Sequence, residues 1–111
     1  MLPAEPGVRR IIGDGEEVAD GEVEGLGDAA LLDLYRGMVL LRTYDERSLV
    51  YHRQGRIGTY AIFWGHEAIQ VGWALAVADE EWIFPSYRES AIGLLRGMPP
   101  ESVLAWWRGH T

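Results

Sequence analysis

Between Gly27 and Gly55 the chain has no proline, and its apolar residues return at spacings of three and four: Leu31, Leu34, Tyr35, Met38 and Leu41. That period places them on one stripe of an α-helix. Asp28, which follows Gly27 and precedes Ala29, Ala30 and Leu31, has the pattern of an N-cap whose carboxylate accepts from free amide groups. Strong helix formers continue to Gln54, ahead of Gly55, so the predicted rod is about 39 Å long at a rise of ~1.5 Å per residue. On the same rod Arg42, Asp45, Glu46 and Arg47 fall at helical neighbour spacing. They are expected to form a solvated salt-bridge face, contributing a few tenths of a kcal/mol (about 0.2–0.5) per pair; pairing with another subunit is the competing use.

Downstream the pattern changes several times. Residues 55–65 are bounded by glycine and rich in β-branched and aromatic residues, which fits a loop with extended stretches. From His66 to Ala78 a helical period returns, with Ala68, Gly72 and Ala76 four apart and Ile69, Val71, Trp73, Leu75 and Val77 covering the other faces. A helix apolar nearly all round is expected to be buried, with its small residues admitting another backbone. Asp79, Glu80 and Glu81 form a polar turn. Trp82, Ile83 and Phe84, closed by Pro85, predict a short buried strand. Ser86 is placed to cap a helix running through Ala91, Leu94 and Leu95 to Gly97, and Pro99-Pro100 to open a last one carrying Val103, Leu104, Trp106 and Trp107. Residues 1–27, rich in Gly, Glu, Asp and Val without a sustained period, are expected to be an extended or disordered arm, to which Ile11-Ile12 could add a short strand. The expected class is α/β, mostly helical with one short buried strand, in a domain spanning 28–111.

Composition narrows the function. At 111 residues the chain can bury only a modest core, yet 48% of it is hydrophobic and it holds 5 tryptophans. The excess predicts a partner surface. A net charge of -7, with no lysine, leaves no basic face to follow a nucleic acid or an anionic membrane, and no apolar run approaches the roughly 20 residues of a membrane span. The start Met1-Leu2-Pro3-Ala4-Glu5 has no secretory signal pattern, so the expected compartment is the cytoplasm. With Cys at 0, disulfides, thiolate metal sites and cysteine nucleophiles drop out.

The chemistry is concentrated between Trp82 and Ser90, where strand, turn and helix start are predicted in order with Ser86, Tyr87 and Arg88 at the junction. Ligands of open α/β folds bind outside the carboxyl ends of strands, and a helix start favours phosphate. Arg88 offers a planar fork that can hold a phosphate through two N–H bonds, and Tyr87 a rigid hydroxyl. The same pair also fits a packing aromatic beside a salt-bridged cation.

Taken together, YRGMVLLRTYDER at 35–47, RQGRIG at 53–58, GHEAIQVG at 65–72, FPSYRE at 84–89 and RGMP at 96–99 resemble, in order and spacing, the alpha subunit of the E1 component of 2-oxo acid dehydrogenase complexes. The likeness covers about residues 28–110. It implies the opening part of a thiamine-diphosphate-binding fold, with Tyr87 and Arg88 as contacts of the cofactor diphosphate and Ser86 as a weaker neighbour. It also implies oxidative decarboxylation of a 2-oxo acid, pyruvate or branched-chain, with the acyl group passed to a lipoyl arm. The implied partners are an E1 beta subunit, in a heterotetramer whose site lies between subunits, and a lipoyl-bearing E2 component. Pyruvate-type relatives carry a cofactor-contacting His where this chain has Ala61, a departure that leans toward a branched-chain or broad-specificity type.

The resemblance puts the Mg²⁺ ligands and a catalytic His downstream of Thr111, so the 111 residues alone are expected to be inactive, as a fragment or a truncated reading frame. Gly13-Asp14-Gly15 imitates the start of the family's metal motif but lies in the arm, and the chain has no Asn to complete it; a turn is expected. His52, His66 and His110 have no paired Asp or Ser at a telling spacing, and for His66 capping or an internal hydrogen bond is expected. Glu80-Glu81 is expected to be solvated. An acetoin dehydrogenase alpha subunit shares the motifs, and a non-catalytic helical module binding through Trp73, Trp106 and Trp107 is the alternative of a different class.

Overall fold

A computed structural model describes residues 25–109, which form four helices joined by irregular segments. Ile11-Ile12, Gly13-Asp14-Gly15 and His110 lie outside the described residues. The first helix, α1, runs from Asp28 to Arg53, one residue short of the expected end. Gly27 rather than Asp28 is its N-cap, its carbonyl accepting from Leu31 N–H at 3.1 Å; Asp28 sits in the first turn, where its charge still opposes the positive end of the helix dipole. His52 and Arg53 complement the other end. Termination is set by local geometry: Gly55 takes φ 70, its N–H bonds to the His52 carbonyl at 2.9 Å, and Arg56 N–H reaches back to Tyr51 at 2.9 Å. This crossed pair of bonds is a Schellman cap, which requires a residue tolerant of positive φ.

The second helix, α2 (Glu67–Ala76), runs back along α1, with Glu67 against Arg42 and Val71 against Gly37. Gly37 makes that approach possible, since a Cβ there would stand 2.8 Å from a Val71 methyl group. The close approach predicted for the stripe of Ala68, Gly72 and Ala76 does not occur among the described residues: a Cβ on Gly72 would meet nothing within 4 Å. Nor is α2 buried all round. Gln70, Val71 and Ala74 face inward, while Ile69 and Leu75 are exposed, because α1 covers one side only.

Around this pair the core gathers Leu41, Ile57, Tyr60, Phe63, Val71 and Ala91, flanked by Leu34, Met38, Tyr44, Leu95 and Trp107. Of the expected α1 stripe, Leu41 is buried and Leu34 and Met38 are half-buried, whereas Leu31 and Tyr35 lie exposed beyond the reach of the packed loops. The last helix, α4 (Pro100–Trp107), begins with Pro100 at its first turn as predicted. It closes the core through Trp107, whose ring meets Tyr60 edge-on at 5.4 Å and whose carbonyl accepts from Gly58 N–H at 3.1 Å.

Two expectations for 82–97 are corrected. The predicted strand at Trp82–Phe84 is extended but is not a strand, and no strand occurs among the described residues. A strand is defined by its ladder, and no extended neighbour supplies one here. Nor is the segment buried: Trp82 is 85% exposed and Phe84 82%, their rings stacked on one side at 6.3 Å as the two-residue repeat of an extended chain dictates. The described residues are therefore helix and loop, and the α/β class predicted from sequence is not displayed in them. The helix expected to start after Ser86 is shortened to α3 (Ile92–Leu95), preceded by turns over 88–91. Ser86 lies six positions before α3 and caps nothing, Gly93 is a poor helix former inside it, and Gly97 at φ 87 ends it. Among the described residues no helix is long and apolar enough to cross a membrane.

Candidate functional site

The site is built on an unusual use of α1. Leu41, Asp45 and Ser48, spaced four and three apart, share its buried face. Asp45 is thus carried into the core with Leu41 instead of lying on a solvated salt-bridge face. Only 4% exposed, it accepts from the Tyr60 hydroxyl at 2.7 Å and from Phe63 N–H at 3.3 Å. Burial, then the bond to Asp45, holds the Tyr60 phenol above its ordinary range, and burial pushes Tyr44 up to about 12. Arg42 also leaves the expected face: its Nε donates to Glu67 Oε1 at 2.5 Å, and its guanidinium lies 5.1 Å from the Trp64 ring centre. Glu67 in turn accepts from Gly65 N–H at 2.9 Å. Its carboxyl is held below the usual range, first by the Arg42 hydrogen bond. Residues 57–66 are therefore a loop fixed by side chains of α1 and α2.

Arg88 attaches to that loop. Its Nη1 donates to the Ile62 carbonyl at 2.6 Å, and its guanidinium stands 5.4 Å from the centre of the Tyr87 ring, within cation–π range. Tyr87 is 57% exposed. Among the described residues no carboxylate lies within 4 Å of Arg88, so the bland arrangement of a salt-bridged cation is not the one adopted. With one N–H committed to Ile62, the fork keeps further donors for an anion. The expected help of a helix start is absent, because α3 begins four residues after Arg88.

Ser86 lies apart from this pair in its surroundings. It lines a groove of about 770 Å³ between residues 79–86, α3 and α4, with Trp82, Ile83, Met98 and Trp106; Tyr87 and Arg88 do not line it. Arg96 braces this side, its guanidinium donating to the carbonyls of Val77, Ala78 and Asp79 at 3.0–3.2 Å just beyond the end of α2. Charge complementarity at a helix C-terminus explains the placement.

The histidines and acidic decoys make local contacts. His52 Nδ1 is 2.7 Å from the Gly58 carbonyl. His66 occupies the N-cap position of α2 without a side-chain cap, its ring 3.8 Å from Glu89. Glu80 and Glu81 are exposed, and Glu81 accepts from Ala78 N–H at 2.8 Å. No group of three or more His, Asp or Glu among the described residues could hold a metal ion. Sequence reasoning misses Asp45, Glu67 and Arg96 as structural anchors; the four-residue step from Leu41 to Asp45 is the available signal for the first.

This helical platform presents a Tyr-Arg pair with no carboxylate beside it among the described residues, and the chain's sequence matches one class of protein. The model of the family described as "Dehydrogenase E1 component" matches residues 35–111, and the chain belongs to that family. Its relatives are alpha subunits. The chain is 38% identical over 85 residues to the pyruvate dehydrogenase E1 component subunit alpha of Mycoplasma genitalium, covering 77% of this chain and 24% of the relative. It is 40% identical over 84 residues to the 3-methyl-2-oxobutanoate dehydrogenase subunit alpha of Mycobacterium tuberculosis, covering 76% and 23%. With the pyruvate dehydrogenase E1 component subunit alpha of Bacillus subtilis the identity is 36% over 96 residues, covering 86% and 26%. The chain thus spans about a quarter of the length of the curated relatives it matches. No solved structure matches it significantly. The resemblance read from the motifs is borne out, and pyruvate and branched-chain relatives match side by side.

Proposed function

We propose that residues 28–111 are the opening part of an E1 alpha subunit that oxidatively decarboxylates a 2-oxo acid, pyruvate or branched-chain, with thiamine diphosphate, preceded by an arm over 1–27. The observation that carries this reading is Arg88: half-buried beside the exposed Tyr87, without an acidic partner among the described residues, and inside the matched family segment. A guanidinium and a phenol hydroxyl are the donor set a diphosphate requires, so the residues fit the group. Thiamine diphosphate, when bound, supplies the electron sink for loss of CO₂. This chain's residues have the simpler task of binding and orientation. Arg88 and Tyr87 hold diphosphate oxygens, with Ser86 as a weaker neighbour, and Mg²⁺ is held by residues other than those described.

The exposed Trp64, Ile69, Leu75, Trp82, Phe84 and Trp106 supply the apolar surface that an E1 beta subunit and the rest of the alpha subunit would cover. A lipoyl-bearing E2 component takes the acyl group, in the cytoplasm. Against the alternative of a Trp-lined interaction module stands Trp107, which packs against Tyr60 at the edge of the core and so is not free to share a binding face with Trp73 and Trp106.

The test is turnover by the alpha subunit carrying this sequence, assembled with its beta subunit. CO₂ release from pyruvate or a branched-chain 2-oxo acid is expected, dependent on added thiamine diphosphate and Mg²⁺. Assembled protein that decarboxylates none of these acids under those conditions would refute the proposal.

A further inference from the structure

One peptide plane joins the buried carboxylate of α1 to the half-buried cation of the candidate site. The N–H of Phe63 and the carbonyl of Ile62 belong to the same peptide group. The first donates to Asp45 Oδ1 at 3.3 Å, and the second accepts from Arg88 Nη1 at 2.6 Å. A trans peptide is rigid and its N–H and C=O point in opposite directions, so fixing one end fixes the aim of the other. Hydrogen bonds in series through an amide also polarise one another. We infer that Asp45 is a positioning residue for Arg88, acting through the Ile62–Phe63 peptide, and that it sets where the guanidinium meets the diphosphate.

Three features make Asp45 suited to this. It is anchored on the middle of a long helix, between Leu41 and Ser48 on the buried face, so it does not move with the loop. Its second bond, from the Tyr60 hydroxyl at 2.7 Å, meets the same oxygen, Oδ1, three residues earlier in the loop. Besides the packing of the Phe63 ring, no backbone hydrogen bond among the described residues holds this peptide: the bonds that bracket it are Gly58 N–H to Trp107 and His66 N–H to the Phe63 carbonyl. Arg88 itself has no other hydrogen-bond partner among the described residues, so the orientation of the Ile62 carbonyl determines its resting place.

The inference rests on the reading of Arg88 as a diphosphate ligand, and the experiment separates the two. In the assembled enzyme, thiamine diphosphate affinity and kcat at saturating cofactor are measured for Asp45→Ala, Arg88→Ala and the double variant. Asp45→Ala is expected to weaken cofactor binding by about tenfold while leaving kcat at saturation near the parent value. Asp45→Asn, which keeps an acceptor oxygen, should restore most of the affinity. The double variant should bind little worse than Arg88→Ala alone, because both changes remove the same contact. Arg88→Ala with parental affinity would overturn the site and this inference together. A weakened Arg88→Ala beside a parental Asp45→Ala, or losses that simply multiply in the double variant, would overturn the positioning role alone. Should Asp45→Ala not assemble, Tyr60→Phe takes its place: it releases one of the two bonds that fix the carboxylate, and a cofactor affinity equal to the parent's would count against the proposal.

Discussion

Phe63→Ala is expected to destabilise the fold by about 3–5 kcal/mol, the range for truncating a buried aromatic side chain. Phe63 is 1% exposed and stands first among the large buried side chains, stacked on Tyr44 at 6.5 Å in a loop without regular structure. Its removal takes away both the packing of that loop against α1 and the hydrophobic support of the peptide that Asp45 and Arg88 share. In thermal unfolding of the chain the midpoint should fall by more than about 12 °C, since each kcal/mol is roughly 4–8 °C for a domain of this size. Trp82→Ala supplies the contrast. Although tryptophan is the larger residue, Trp82 is 85% exposed, and its loss should change stability by no more than about 0.5 kcal/mol. Equal effects of the two substitutions would show that the core is not centred where the packing places it.

Arg88→Ala is expected to weaken thiamine diphosphate binding to the assembled enzyme by about ten- to a hundredfold, as loss of a charge-assisted hydrogen bond of roughly 1.5–3 kcal/mol requires. Isothermal titration of the cofactor with Mg²⁺ present reads this directly. Arg88→Lys should recover part of the affinity through its charge but not all of it, because an ammonium cannot present two parallel N–H groups to one phosphate. The fold should tolerate both changes: the one hydrogen bond Arg88 makes among the described residues is at an exposed position. Parental affinity in Arg88→Ala would show that the guanidinium is not a diphosphate contact.

How far these features can be read from the amino-acid order depends on what decides each of them. The bounds of α1 are legible because local chemistry sets them, with acid at the start and Gly55 in a Schellman cap at the end. Pro100 opens α4 for the same reason. The strand expected at 82–84 is not formed because an alternating apolar run specifies an extended chain, whereas a strand also needs a neighbour to bond. The pattern overstates the burial of α2 because hydrophobicity reports what could be covered, and α1 covers one side.

The motif points to Tyr87 and Arg88 as candidates, but it does not give the reason for the placement of Arg88. That reason lies in a carboxylate forty-three positions upstream by count (88 − 45), paired with a backbone group in a loop that has no periodicity. Charges at helical neighbour spacing suggest a wet face for Arg42 and Asp45. Long-range partners decide otherwise: Tyr60 and Phe63 take Asp45 off it, and Arg42, half-exposed, pairs with Glu67 of α2.

The most direct test is a structure of the assembled enzyme with thiamine diphosphate and Mg²⁺ bound. Arg88 nitrogen atoms are expected at about 2.7–2.9 Å from diphosphate oxygens, the range of a charge-assisted bond, with the Tyr87 hydroxyl beside them and the Ile62 carbonyl still bound. A diphosphate held by other residues, with Arg88 out of hydrogen-bond reach, would contradict the assignment.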